Sequence, residues 1–279
     1  MMLLPIRAVA FGEAMDINIQ KKKFIADLIS KSKGVLSKMG KPSPIFQGRI
    51  EEVSAVVETQ LKKRMRNCII VGPAGVGKTE IAKKAIANTD TEDVFLNLDC
   101  SALQAGCIYV GMFEQRFNEI IKPIAEHNAK SKWHVCLFID EIHVAFQLGK
   151  NEFVGTVTFA DMLKPYLTEG TITIIGATTE AEYRKYVAKD KALLRRLPPI
   201  FVTELGTEQT EAIVADFAGK SLSKDDVKEI VEKSKSIKYL SEPDRSIEVA
   251  DRLMAKRKAN CGKTEGDLDS IVALMANNG

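Results

Sequence analysis

The chain has 279 residues, 45% hydrophobic and 28% charged, which suits one large or two smaller globular domains and excludes a disordered chain. Forty Lys and Arg against 37 Asp and Glu leave a formal charge of +3, too small by itself to imply a nucleic-acid or membrane partner. No apolar run approaches the roughly 18 residues of a membrane span. The first apolar stretch has neither a basic leader nor a cleavage site, so no secretory signal is expected.

Residues 1–20 are weakly patterned. Residues 21–38 carry Phe24, Ile25, Leu28, Ile29, Val35 and Leu36 at helix-like spacing, interrupted by Gly34. Two prolines make 41–46 an extended linker. Residues 50–66 read as a helix ending in a basic cluster, Lys62, Lys63, Arg64 and Arg66. Strands and helices then alternate. Strands are predicted at 68–71, 94–99, 134–140 and 171–179, with a last short one within 198–205. Helices are predicted at 78–88, 112–127, 158–168 and 180–196. That succession predicts an α/β fold with a mostly parallel sheet. From 206 the pattern is all-helical (207–219, 223–235, 243–258, 267–276), which predicts a small helical lid domain. The expected organisation is an N-terminal helical extension and linker (1–44), an α/β nucleotide-binding domain (45–205) and the helical domain (206–279).

The five cysteines, Cys68, Cys100, Cys107, Cys136 and Cys261, are odd in number and lack CxxC spacing. They read as reduced structural thiols in a cytosolic compartment. His127, His134 and His143 form no credible metal site by spacing.

Gly72-Pro73-Ala74-Gly75-Val76-Gly77-Lys78-Thr79 matches GxxxxGK[ST] directly between a predicted strand and a predicted helix. Its glycines let backbone N–H groups point at phosphate oxygens, and the helix N-terminus adds partial positive charge. Lys78 reaches the β- and γ-phosphates, and the Thr79 hydroxyl is a ligand for Mg²⁺. The apolar run Leu137-Phe138-Ile139 ends in Asp140-Glu141, placing two carboxylates at the C-terminal edge of a buried strand, where α/β sheets bind ligands. Asp140 suits Mg²⁺ and Glu141 suits polarisation of an attacking water. The next strand ends Gly176-Ala177-Thr178-Thr179, a hydroxyl-bearing tip that is also a good helix N-cap. Arg195-Arg196 follow; a pair of arginines at a subunit face can stabilise charge on a neighbour's γ-phosphate.

In this order the pieces resemble the AAA+ ATPases. Further segments narrow the likeness: Tyr109-Val110-Gly111-Met112-Phe113-Glu114-Gln115-Arg116, Asp161-Met162-Leu163-Lys164-Pro165, and Gly176 through Tyr186 followed by Lys189-Asp190-Lys191-Ala192-Leu193. They resemble the first ATPase module of the Clp-type unfoldases, ring chaperones that thread proteins through a central pore. The likeness runs from about Ile45 to about Lys256. It implies ATP and Mg²⁺ as cofactors, with Lys78 and Thr79 on phosphate and metal, and Asp140 and Glu141 as the acidic pair. It also implies Thr179 as a sensor, Arg195 and Arg196 as arginine fingers, and Tyr109 as the substrate-gripping aromatic of a pore loop. Ile45 and Phe46, before Gly48-Arg49, resemble the entry to the adenine pocket. Arg245, in Pro243-Asp244-Arg245-Ser246-Ile247-Glu248, resembles a small-domain residue facing the nucleotide.

The resemblance has departures. Leu194 stands before the arginines where a glutamate is usual, the coiled-coil insertion of the disaggregating members is absent, and no second phosphate loop follows. A reduced, stand-alone form is therefore expected. The implied function is ATP-driven protein remodelling or unfolding by a cytoplasmic, homo-hexameric ring acting on a protein substrate, with a protease or a larger Clp-type ring as a further partner. Two alternatives stay open: a nucleic-acid motor or helicase/clamp loader, and an ATP-switched adaptor co-assembling with a larger Clp-type ring. Near-balanced charge and Tyr109 at the pore position speak against nucleic acid.

Overall fold

The computed structural model describes residues 6–105, 107, 111–147, 158–259, 262 and 266–277. A long helix, α1 (Ile6–Lys31), leads to a short strand, β1 (Leu36–Lys38), and α2 (Ile50–Gln60) precedes β2 (Cys68–Val71). α3 (Lys78–Asn88) crosses to β3 (Val94–Leu98); α4 (Cys100–Gln104) and α5 (Met112–Asn128) lead to β4 (Val135–Ile139). α6 (Ile142–Gln147) and α7 (Phe159–Glu169) lead to β5 (Thr173–Thr178). A helical turn, α8 (Glu180–Glu182), a π-helical turn (Tyr183–Val187) and α9 (Lys191–Arg196) lead to β6 (Pro199–Phe201). Among the described residues four helices follow: α10 (Thr207–Ala218), α11 (Lys224–Ser234), α12 (Asp244–Ala259) and α13 (Asp267–Ala276).

Among the described residues six strands form one sheet in the order β1-β3-β4-β5-β2-β6. All pairs are parallel except β1 with β3. The central strands are unbroken apolar runs because helices cover both faces: every residue of β2, β4 and β5 is buried. One face carries Ile69, Leu96, Leu137, Ile139 and Ile174 against Phe117, Ile121, Ile124, Phe159 and Leu163 from α5 and α7. The other carries Ile70, Phe95, Phe138, Ile175 and Ala177 against Val53 and Val56 of α2 and Ile81, Ala82 and Ala85 of α3. In α5 the buried residues Phe113, Phe117, Ile120, Ile121 and Ile124 recur at spacings of three and four, the stripe that lays a helix on a sheet. Helices α10 to α13 have their own core, built on Val214, Ile230, Val249, Leu253, Ile271 and Met275.

Several local expectations are corrected. The helix expected to run on to residue 38 ends at Lys31; Lys33 and Gly34 take left-handed backbone angles (φ 50 and 90), and Leu36–Lys38 pairs with Leu96–Leu98 as an edge strand. Backbone pairing across that edge outweighs local helical spacing. α2 stops at Gln60, and the basic cluster follows it on a loop, where Arg66 is held by Asp93. The single helix expected at 180–196 is divided into α8, the π-helical turn and α9, which restarts at a new N-cap, Asp190.

Cys68, Cys100 and Cys136 are buried thiols, and burial pushes each up to about 12. Cys261 lies outside the described residues. Among the described residues no helix is long and apolar enough to cross a membrane.

Candidate functional site

The strand order brings three loop ends together at the C-terminal edge of the sheet: the glycine-rich loop after β2, the acids after β4 and the threonines at the end of β5. The loop is seated against the sheet, with the Gly72 N–H donating to Thr178 O at 3.1 Å. A side chain at Gly72 would put its Cβ 2.4 Å from Val202 O, so only glycine fits. At the far end Gly77, in the left-handed region (φ 91), caps α3 and turns the helix N-terminus into the loop.

Lys78 is buried, and its Nζ donates to Gly72 O at 3.0 Å and Pro73 O at 2.8 Å. Burial lowers the Lys78 ammonium from its ordinary value, opposed by Glu141, Asp140 and Glu182. Thr79 Oγ1 donates to Asp140 Oδ2 at 2.7 Å. A hydroxyl and a carboxylate meeting beside a phosphate-binding loop form the hard-oxygen donor set that suits Mg²⁺. Glu141 is exposed and takes a left-handed backbone angle (φ 47), a costly conformation for a residue with a side chain. Burial of its carboxyl group still raises it above the usual value, with Lys78 opposing.

Behind the loop lies a mostly apolar cavity of about 180 Å³. Ile45, Phe46, Val76, Leu205, Ile213 and Ile247 are among its lining, with Asp244 at α12. Arg49 is also among the lining: its guanidinium is buried, donates to Val76 O and to Glu52, both at 3.0 Å, and so ties the entry segment to the loop. A mostly apolar cavity of this kind beside a phosphate loop suits a nucleotide base. A larger cavity of about 1170 Å³ surrounds Phe24, His127 and Trp133. It contains none of the motif residues, so motif geometry and not cavity size locates the site.

Arg245 is not brought to this cavity. Its guanidinium is spent on Glu242 (2.8 Å), Glu204 (3.1 Å) and the carbonyls of Ile237 and Leu240. A buried cation needs such partners, and they hold Arg245 away from this cavity, whose lining includes Asp244, one residue earlier.

Thr179 is half-buried and caps α8, donating to Glu182 Oε2 at 2.6 Å. Thr178 is fully buried, beside His143. Arg195 is exposed on α9; Arg196 is half-buried and donates to Ala192 O at 2.9 Å. Leu194 beside them is 37% exposed, an apolar side chain on the same short helix. Tyr109 lies outside the described residues.

Sequence reasoning missed His143, Glu182, Ile213 and Ile247. His143 carried only its place just after Asp140-Glu141 as a signal, and Ile213 and Ile247 are ordinary apolar positions of amphipathic helices.

The family named AAA, the ATPase family associated with various cellular activities, matches residues 68–205. The chaperone protein ClpB of Mycoplasma genitalium is 34% identical over 253 residues, 85% of this chain and 35% of that protein. ClpB 1 of Thermosynechococcus vestitus is 30% identical over 272 residues, 92% of this chain and 30% of that protein. Among solved structures, closed-state Hsp104 with ATPyS and FITC casein superposes with a TM-score of 0.72 at 28% identity, covering 90% of this chain and 45% of that one. The S. cerevisiae Hsp104–ADP complex superposes with a TM-score of 0.68 at 30% identity, covering 82% and 34%. The chain thus spans about a third of the length of the curated relatives it matches.

Proposed function

We propose that this chain, which belongs to the AAA family of ATPases as a Clp-type AAA+ module, hydrolyses ATP and uses the energy to remodel or unfold proteins. The observation that carries the reading is the meeting of Lys78, Thr79, Asp140 and Glu141 at one sheet edge, with the phosphate loop seated on the end of β5.

In this reading Ile45 and Phe46 border the base, and the backbone of Gly72 to Gly77 cradles the phosphates. Lys78 neutralises charge on the β- and γ-phosphates. Thr79 and Asp140 hold Mg²⁺, which when bound offsets the charge that builds on the phosphoryl oxygens. Glu141 orients a water and accepts its proton, a role that its raised affinity for protons favours. Thr179 senses the γ-phosphate at the end of β5. Arg195 and Arg196 reach the γ-phosphate of the neighbouring subunit, which makes a ring, taken as homo-hexameric, part of the reading. Tyr109 grips an extended protein chain by ring packing, which tolerates varied side chains. The reading divides the chain at about residues 44 and 205, sets it in the cytoplasm, and extends to a protease or a larger Clp-type ring as partner.

The test is ATP-dependent unfolding of a tagged protein by the whole chain with Mg²⁺. Hydrolysis coupled to loss of the client's folded signal is expected. Hydrolysis without unfolding removes the motor and leaves the ATP-switched adaptor; stimulation by DNA that falls steeply with salt favours the nucleic-acid motor.

A further inference from the structure

The parallel register pairs Ile139 of β4 with Gly176 of β5. The residues that follow the two strands therefore leave the sheet side by side, and His143, on the first turn of α6, stands between them. Its Nε2 lies 3.0 Å from Glu182 Oε1. Its Nδ1 lies 3.2 Å from Glu141 Oε2 and 3.1 Å from Thr178 Oγ1. Glu182 in turn accepts from the Thr179 hydroxyl at 2.6 Å and from the Thr178 hydroxyl at 3.4 Å, through its other oxygen. The imidazole also stacks near Tyr186 of the π-helical turn, with ring centroids 6.3 Å apart and planes at 20°.

The burial of the members differs in a way that matters. The His143 side chain is 13% exposed and Glu141 is 50% exposed. A half-exposed glutamate side chain has several rotamers open to it, whereas a mostly buried imidazole held on both nitrogens has few. The buried ring is thus the fixed partner and the glutamate the one that is tethered. The two carboxylates contact opposite nitrogens of the ring, so the imidazole bridges them, and one ligand atom from each of Glu141, His143 and Glu182 lies within 4.8 Å of the other two.

We propose that His143 is a positioning residue: with a proton on each ring nitrogen it donates to both carboxylates, holds Glu141 in place and ties it, through Glu182, to the Thr178–Thr179 end of β5. A shift at that strand end is then passed to Glu141 across three side-chain contacts, Thr179 to Glu182, Glu182 to His143 and His143 to Glu141. The inference rests on the reading of Glu141 as the base of ATP hydrolysis. It assigns His143 no contact with nucleotide, so its loss acts on turnover and spares binding.

The test compares His143→Ala and His143→Gln with wild type in steady-state ATP hydrolysis, binding of a fluorescent ATP analogue and thermal melting. Misplacing a reacting group by about an ångström costs up to on the order of 100-fold. His143→Ala is therefore expected to lower kcat by roughly 10- to 100-fold, with KM and analogue affinity changed by less than about twofold. His143→Gln, whose amide keeps one donor within similar reach, is expected to recover part of that loss. Unchanged kcat in His143→Ala, parallel losses of kcat and nucleotide affinity, or no recovery in His143→Gln overturns the proposal. So does a melt that collapses in both variants, which assigns the ring a packing role. Glu141→Gln run alongside separates the two readings. If it keeps turnover, the base assignment falls and the inference with it; if it is inactive while His143→Ala behaves as wild type, only the bridge is lost.

Discussion

Thr79 Oγ1 donates to Asp140 Oδ2 at 2.7 Å, joining the first turn of α3 to the end of β4 across 61 residues of sequence. Two oxygen donors of different elements meet at one point, and a hard cation between them and a phosphate is the chemistry this suits. Asp140→Asn keeps the shape and removes the charge. It is expected to raise the Mg²⁺ concentration needed for half-maximal hydrolysis by at least about tenfold, since about 1.4 kcal/mol of lost ion attraction suffices. A Mg²⁺ titration of ATPase activity reads this, and an unshifted midpoint removes Asp140 from the metal site.

Glu141 and Lys78 separate turnover from binding. Glu141→Gln leaves the phosphate cradle intact and removes the proton acceptor, so ATP should still bind while turnover falls by on the order of 100-fold or more. Lys78→Ala removes the cation bonded to the carbonyls of Gly72 and Pro73 and should weaken nucleotide binding itself. Equilibrium binding and hydrolysis measured on both variants check the split. Near wild-type turnover in Glu141→Gln would contradict the role given to the acidic strand end.

Arg195, exposed on α9, has a role only if a neighbour supplies the site it completes. Specific activity should rise with protein concentration. Rings mixed from Arg195→Ala/Arg196→Ala and Lys78→Ala subunits should recover part of the hydrolysis that each lacks alone. Mixed rings of normal assembly with no recovery would show that these arginines do not act across the interface.

Asp190 holds the start of α9, accepting from the amides of Ala192 (2.9 Å) and Leu193 (3.1 Å), and pairs with Lys164 of α7 at 2.7 Å. Asp190→Ala removes an N-cap, worth about 1 kcal/mol, and should lower the Tm by roughly 2–4 °C. Burial raises the Asp190 carboxyl, but the bonds from Lys164 and the two amides hold it below its ordinary value. A lowered folded-state value stabilises at pH above the unfolded value and is lost as pH falls through the folded one. The Tm gap between wild type and variant should therefore be constant near neutrality and close below about pH 3.9. A gap that persists in strong acid would mean that packing, not the charged cap, sets it.

Tyr109→Ala tests the threading role. A loop aromatic that grips a client contributes nothing to phosphate chemistry, so basal hydrolysis should stay within a few-fold while unfolding of a tagged client is lost. A core tyrosine behaves otherwise, since truncating a large buried aromatic costs about 3–5 kcal/mol and lowers every activity with the melt. Melting and hydrolysis on one preparation distinguish the two.

The buried strands were legible because burial on both faces leaves an unbroken apolar run: the expected 68–71 is Cys68–Val71, and 134–140 contains Val135–Ile139. The phosphate loop was legible because it is local, its residues consecutive and its flanking strand and helix adjacent in sequence. What the chain alone did not disclose is set by contacts between distant residues. Leu36–Lys38 is a strand because the edge of β3 offers it backbone partners. Arg245 is held by Glu242, just before α12, and by Glu204, just after β6, and Asp244 takes the place beside the loop. His143 meets Glu182 because the β4–β5 register sets their strand ends together, across a separation that no local pattern encodes. Hydrophobic periodicity and loop chemistry act over a few residues and are written in the sequence; register and burial of charge are decided only when the sheet closes.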